Sequence, residues 1–441
     1  MSIAENIFDE INTVSFQKNA NVAGVVRGYD GLVVTCDGFP ASVGSLCKIY
    51  DDRGGYSFAE LIGFGDGLNK LVPYSGTFPV VAGSRVELID SAISDKIDER
   101  CLGRAFDSLL TPLDGQPDVL FSDALSLGGE EVNPLERAPI VDRFDTGVRS
   151  INGLLTIGRG QRLGIMAGSG VGKSVLLQMI TRHSDSDVIV VGLIGERSRE
   201  IGDFINKTLT AEMRSRLCII AEPAGSSPLR RIRAANMCAA ISEYFRGKGK
   251  NTLLIMDSLT RVAHARREIG LSLGETPSIK GYPPSAIALI PELIERAGQG
   301  RVGDGSTTGI YTVLADSDDM NDPVVDSARA ILDGHIILSR GQAELGVYPA
   351  IDISASISRV ISDITNPDQQ DLIRDFRKYF SIYQENKDLL LLGGYKEGGD
   401  PELDKAIKLY DKMVGYIRQR PDEKCDLDGA RVALVEILNA S

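Results

Sequence analysis

The amino-acid sequence predicts an α/β protein built around a parallel sheet, with a small β domain before it and a helical segment after it. Three patterns carry that prediction. Residues 20–92 form short β-rich runs separated by glycine-containing turns. The middle of the chain alternates continuously apolar runs with helical stretches, and beyond about residue 360 the strand signal ends. Strands buried on both faces read as unbroken apolar runs, and a helix between successive runs marks a crossover connection.

The first eighteen residues place Ile3, Ile7, Phe8, Ile11 and Val14 at near-helical spacing, with Glu5, Asp9 and Glu10 between them. That pattern is an amphipathic end helix, either packed on its own domain or simply frayed, or else docking a partner. VAGVVRGYDG, LVVTCDG, SLCKIYDD, SFAELIGFGDG and FPVVAGSRVELI then read as strands whose spacing suits a small antiparallel barrel or sandwich. Residues 93–145 carry turn signals such as TPLDGQPD and read as a connecting segment. RLGIMAG, DVIVVGLIG, RLCIIAEP, TLLIMDSL, GIYTVLAD and HIILS supply the buried strands, most of them followed by a helical stretch. DQQDLIRDFRKYFSIYQENKDLLLL opens an all-helical tail. The expected segments are a helix at 1–18, a β domain at 19–93, the parallel-sheet domain at 94–360 and a helical domain at 361–441.

Composition excludes several classes. A chain of 441 residues exceeds one ordinary core, so two or three domains are expected. Its 48 basic and 61 acidic residues give a net charge of −13, which disfavours a broad nucleic-acid surface, because such surfaces neutralise phosphates with Lys and Arg. The six cysteines form no C-x-x-C pair and the three histidines are widely spaced, so a metal site built from them is poorly supported and reduced thiols are expected. No apolar run approaches the roughly 18 residues of a membrane span, and the N-terminus lacks the pattern of a signal peptide. A cytoplasmic protein is expected.

The chemistry concentrates in three places. AGSGVGKS at 167–174 lies between a strand-like and a helix-like run, the context a phosphate-binding loop requires. Gly168, Gly170 and Gly172 allow a tight turn, so that the backbone N–H groups of Ala167 to Val175, Ser169 and Val171 among them, can face phosphate oxygens. The following helix N-terminus adds a favourable dipole. Lys173 would reach the β- and γ-phosphates and the Ser174 hydroxyl would bind Mg²⁺. Ala167 stands where the pattern usually has its first glycine, a minor departure because the later residues make the cradle. TLLIMDSL ends in Asp257, placed to hold Mg²⁺ through water. GLIGERSRE puts Glu196 and Arg197 directly after a strand, at the end where ligands bind in open parallel sheets. A carboxylate there can polarise an attacking water.

These elements resemble the flagellar and type III secretion export ATPase family, within the superfamily of rotary ATP synthase catalytic subunits. RFDTGVRSINGLLTIGRGQR (143–162), KGYPPS (280–285), DDMNDPVVDSARAILDGHIILSR (318–340) and YPAIDISASISRV (348–360) extend the likeness over nearly the whole chain. The resemblance implies a RecA-like ATP-binding domain between an N-terminal β-barrel and a C-terminal helical domain, with ATP and Mg²⁺ bound. It implies that Arg359 enters the site of a neighbouring subunit, that Tyr348 packs on adenine, and that Arg197 holds phosphate or orders Glu196.

It further implies a homohexamer that hydrolyses ATP to unfold or load export substrates. The partners it implies are a stator-like regulator at the N-terminal helix, a central stalk protein, export-gate components and chaperone–substrate complexes, at the inner face of the inner membrane. GSGVGKSVLL and GLIGERSREI resemble the flagellar branch more than the virulence branch. Two other classes compete. One is an RNA translocase similar to the terminator Rho, which the negative charge and the absence of an aromatic–basic platform in the N-terminal domain oppose. The other is a non-catalytic nucleotide-binding ring subunit, which intact Lys173 and Glu196 oppose.

Overall fold

The structure, a computed structural model, describes residues 22–439 apart from 77, 91–94, 130–131, 169 and 315–321. The expected helix at 1–18 and Ser169 lie outside the described residues. The chain divides into two compact units, Met1–Ile93 and Ser94–Ser441.

The first unit is a closed barrel of β1 (Ala23–Tyr29), β2 (Val34–Asp37), β3 (Leu46–Tyr50), β4 (Tyr56–Gly65), β5 (Leu68–Pro73) and β6 (Arg85–Asp90). Their order around it is β1-β2-β5-β4-β3-β6, and closure leaves no open edge. Alternation along each strand sends Val26, Val34, Cys36, Cys47, Ile49, Leu61, Leu71 and Val86 inward. Asp66 and Gly67, both at positive φ, make the two-residue turn between β4 and β5, the Asp-Gly geometry that matches strand twist. Burial pushes the Cys36 and Cys47 thiols up to about 12, so neither is a reactive thiolate at neutral pH.

The outer face corrects one sequence expectation. β3 and β4 pair so that Tyr50, Tyr56 and Phe58 form an aromatic cluster with the Lys48 Nζ 4.3 Å from the Tyr56 ring centroid. The sequence hid this patch because its members belong to two strands and meet only through pairing.

The second unit is built on a mixed sheet. Its strands are β7 (Arg104–Phe106), β8 (Arg162–Ala167), β9 (Val188–Glu196), β10 (Leu217–Pro223), β11 (Asn251–Asp257), β12 (Ser306–Leu314), β13 (Gly334–Leu338) and β14 (Ile351–Ser358). They lie in the order β14-β13-β8-β12-β11-β9-β10-β7, and along it all neighbours are parallel except β13 and β14; a short ninth strand, Gly298–Gln299, pairs antiparallel with β12 off this path. The connections that return each parallel strand to the same edge run through α1 (Lys173–His183), α2 (Ser198–Thr208), α3 (Pro228–Gly247), α4 (Leu259–Ser272), α5 (Pro284–Glu295) and α6 (Pro323–Ile331). β9 is buried along eight of its nine residues, as its continuous apolar run predicts.

Two of these eight strands escaped the sequence reading. β7 falls in the segment read as a connector, because three residues are too few to show a period, yet it extends the sheet by pairing with β10. β14 lies inside a long motif and runs antiparallel at the sheet edge.

The tail forms α7 (Pro367–Leu391), α8 (Pro401–Ile417) and α9 (Leu427–Asn439). Each of α7 and α8 starts at a proline preceded by an Asn or Asp whose side chain accepts from the first turn. Phe376, Phe380, Leu409, Met413, Tyr416 and Leu434 share one core with Leu154, Ile165 and Leu177, so these helices and the sheet form one compact unit.

Candidate functional site

The parallel strands end in register at one edge. Ala167 pairs with Leu314, Met256 with Tyr311, and Leu193 with Asp257, so the residues following β8, β9 and β11 emerge side by side. After β8 the chain turns through Gly170 and Gly172, at φ +81° and +89°, and enters α1 at Lys173. Only glycine adopts that backbone freely. A side chain at Gly172 would also approach the Tyr348 ring to 3.1 Å, which places Tyr348, 43% exposed, against the loop.

Lys173, Glu196 and Asp257 converge. Lys173 Nζ donates to Asp257 Oδ1 and lies 3.4 Å from Glu196 Oε1. Asp257 is 4% exposed, and its Oδ1 also accepts from the buried Thr312 hydroxyl at 2.6 Å. Burial pulls the Lys173 ammonium down, but the two carboxylates outweigh it and hold the proton on more firmly than usual. Glu196 moves above the ordinary carboxylate range, first through burial and then through the nearby Asp257 charge, with Lys173 opposing. A buried carboxylate raised in this way is matched to proton chemistry closer to neutrality than an exposed glutamate.

Glu196 reaches this place through an irregularity in β9. The register with β10 slips between Ile194 and Glu196, and Gly195 sits at φ +73°. A Cβ there would strike Arg261 Cβ at 2.8 Å. The bulge thus needs glycine twice over, once for its backbone and once for the close approach of α4.

Ser174 and Asp257, with Gln178, Glu196, Phe204 and Lys207, line a cavity of about 170 Å³. The hydroxyl and the carboxylates are hard oxygen donors of the kind Mg²⁺ takes. Arg261, four residues after Asp257, also belongs here. Its charge pulls the Glu196 carboxyl down, and among the described residues its buried Nε has no hydrogen-bond partner. The sequence reading missed Arg261 and Thr312. Both reach the site only through the tertiary placement of strand and helix, and nothing in their local sequence marks them out.

Two predicted residues lie away from the cluster. Arg197 is exposed and bonds Glu200 at 2.9 Å, one helical turn on, instead of contacting Glu196. Arg359 follows β14, and because β14 is antiparallel it lies at the opposite edge of the sheet from the phosphate loop. Ser358 pairs with Gly334 at the start of β13, whereas Ala167 pairs with Leu338 at its end. Arg359 is exposed there, with Nη2 donating to the Arg329 carbonyl at 3.3 Å. Among the described residues no cluster of His, Cys, Asp and Glu forms a metal site, and no helix is long and apolar enough to cross a membrane.

Comparison with known proteins agrees with this fold. The ATP synthase alpha/beta family, nucleotide-binding domain, matches residues 147–358, and the T3SS EscN ATPase C-terminal domain matches 365–436. The flagellum-specific ATP synthase of Pseudomonas aeruginosa is 45% identical over 440 residues, covering 99% of this chain and 98% of that protein. That of Salmonella typhimurium is 46% identical, covering 92% and 91%. The assembled ATPase EscN of the enteropathogenic E. coli type III secretion system superposes with a TM-score of 0.90 at 36% identity, over 94% of this chain and 100% of that one. With a phosphate loop, a paired lysine and carboxylate cluster, and likeness along its whole length, the chain belongs to the flagellar and type III secretion export ATPase family and is an ATPase.

Proposed function

We propose that this chain is the ATPase of a flagellar protein export apparatus, hydrolysing ATP at sites shared between subunits of a homohexameric ring. The observation that carries the reading is the division of the machinery between two sheet edges. Lys173, Glu196 and Asp257 stand together at one edge, and Arg359 stands exposed at the other. An arginine that cannot reach its own phosphate loop is suited to a neighbour's, where such a group contributes roughly 10³ to 10⁵ in rate.

In this reading the loop from Ala167 to Val175 cradles the phosphates and Tyr348 packs on adenine. Lys173 leaves Asp257 for the β- and γ-phosphates. Ser174 and, through water, Asp257 would hold Mg²⁺, which would supply charge neutralisation at the phosphates. Glu196 accepts the proton of the water that attacks the γ-phosphorus. The bond to the bridging oxygen breaks, and ADP and inorganic phosphate leave. Arg197, bonded to Glu200, would have to swing to meet phosphate.

The assembly of EscN and its complex with the central stalk EscO, a structure to which this chain is also similar, support a ring and a stalk partner. Residues 1–18 are assigned to a stator-like regulator. Chaperone–substrate complexes and export-gate components complete the proposed partners, with the ring peripheral to the inner membrane and hydrolysis driving the unfolding or loading of substrates. Whole-length likeness to flagellar ATPases leaves the Rho-like alternative without support.

The test is Glu196→Gln. It keeps shape and removes the base, so ATP binding should persist while turnover is lost. Full turnover in this variant would refute the assignment of Glu196.

A further inference from the structure

Thr312 is completely buried in the middle of the sheet, on a strand that carries none of the assigned site residues. β12 lies between β8, which feeds the phosphate loop, and β11, which ends in Asp257. Its neighbours Tyr311 and Val313 are buried hydrophobic residues. A valine would fill the same volume, so threonine adds only a hydroxyl, and a buried hydroxyl without a partner is costly.

That partner is Asp257. Oγ1 donates to Oδ1 across 2.6 Å, while the Met256 carbonyl, at 3.5 Å, is the poorer acceptor. A hydroxyl has one proton, and a close charged acceptor takes it. Lys173 donates to the same Oδ1, and among the described residues no donor reaches Oδ2, although Asp257 lines the cavity. The two donors differ in kind. Lys173 ends a flexible four-carbon stem, whereas Thr312 is fixed on a central strand.

Building on the reading of this centre as a Mg²⁺-dependent ATPase site, we propose that Thr312 is a positioning residue for Asp257. It holds Oδ1 in place when Lys173 turns to phosphate, so that Oδ2 remains presented to the cavity where the metal's water shell is held. Without it the carboxylate is free to rotate at the moment its orientation matters.

Thr312→Val removes the hydroxyl at nearly constant shape, and Thr312→Ser retains it. Binding of a fluorescent, non-hydrolysable ATP analogue to the full chain is titrated against Mg²⁺ and, separately, in EDTA. A hydrogen bond to a charged group predicts that Thr312→Val raises the Mg²⁺ concentration for half-maximal effect about tenfold or more. Affinity in EDTA should be unchanged, and Thr312→Ser should stay near the parent. An unshifted Mg²⁺ dependence in Thr312→Val overturns the proposal, and so does an equal shift in both variants, because shape would then be the cause. If Thr312→Val does not fold, Thr312→Cys places a weaker donor at the same point, and an unshifted titration there overturns the proposal equally. A parent chain whose binding ignores Mg²⁺ would overturn the reading of the site itself, and is distinguished by needing no variant.

Discussion

Lys173→Ala tests the electrostatics of the site apart from any ligand. Lys173 lies between two carboxylates, with side-chain exposures of 12% for itself, 14% for Glu196 and 5% for Asp257. At 3.4 Å and an effective dielectric constant near 20, one such contact is worth about 5 kcal/mol before desolvation is counted. Desolvation of the three groups offsets most of that, yet removing the cation alone leaves two buried like charges. Breaking a buried pair in this way costs about 3–5 kcal/mol. Asp257 keeps its Thr312 bond and Glu196 borders the cavity, so the lower end, about 3 kcal/mol at pH 8, is expected.

The pH dependence fixes the cause. Glu196 already holds its proton above the ordinary range, and Lys173 is the main group opposing this. In the variant the folded state therefore binds that proton more tightly than the unfolded chain does. Stability gained by such a raised carboxylate grows as pH falls through its folded pKa, so the deficit shrinks on acidification. Urea unfolding followed by far-ultraviolet circular dichroism at pH 8 and pH 5.5 measures it, and suits a chain with no tryptophan. Lys173→Ala/Asp257→Asn should recover most of the loss, because the repulsion is then gone. A deficit that stays constant with pH, or a double variant no more stable than the single one, would refute the reasoning.

Arg359→Ala should lower turnover of the assembled ring by about 10³ or more while leaving ATP binding by the monomer unchanged. Undiminished turnover would remove the shared-site argument, and an unfolded variant would make the residue structural. Gly153→Ala opposes two effects of known size. Alanine in a helix gains about 1 kcal/mol over glycine. Here, however, its methyl would lie 1.8 Å from the buried Tyr416 Oη, and overpacking of this kind costs about 1–3 kcal/mol or more. A net loss is expected in thermal unfolding, and a gain would show that the short helix Arg149–Leu154, which carries Gly153, shifts freely. Tyr416→Phe alone should cost about 1 kcal/mol by removing the hydrogen bond that Oη donates to the Ala430 carbonyl at 2.9 Å, yet it should relieve Gly153→Ala.

The phosphate loop, the strand-end Asp257 and the glutamate after β9 are legible without coordinates, because each is a local pattern: glycines where the backbone turns, an apolar run, then a charged residue at its end. Alternation in β1–β6 and the continuous runs of β8–β13 likewise dictate the two kinds of sheet, since burial on one face or two leaves its period in the chain. Pairing leaves no such trace. Thr312 is an unremarkable residue within an apolar strand until β12 is seated beside β11, and Arg261 is one arginine among many until α4 packs on Gly195. The aromatic cluster around Lys48 and the position of Arg359 depend in the same way on which strands are neighbours and which runs antiparallel. Local composition sets what each segment can become. Which side chains share a dielectric environment and a proton is decided by contacts between residues tens to hundreds of positions apart, and only the tertiary structure makes those.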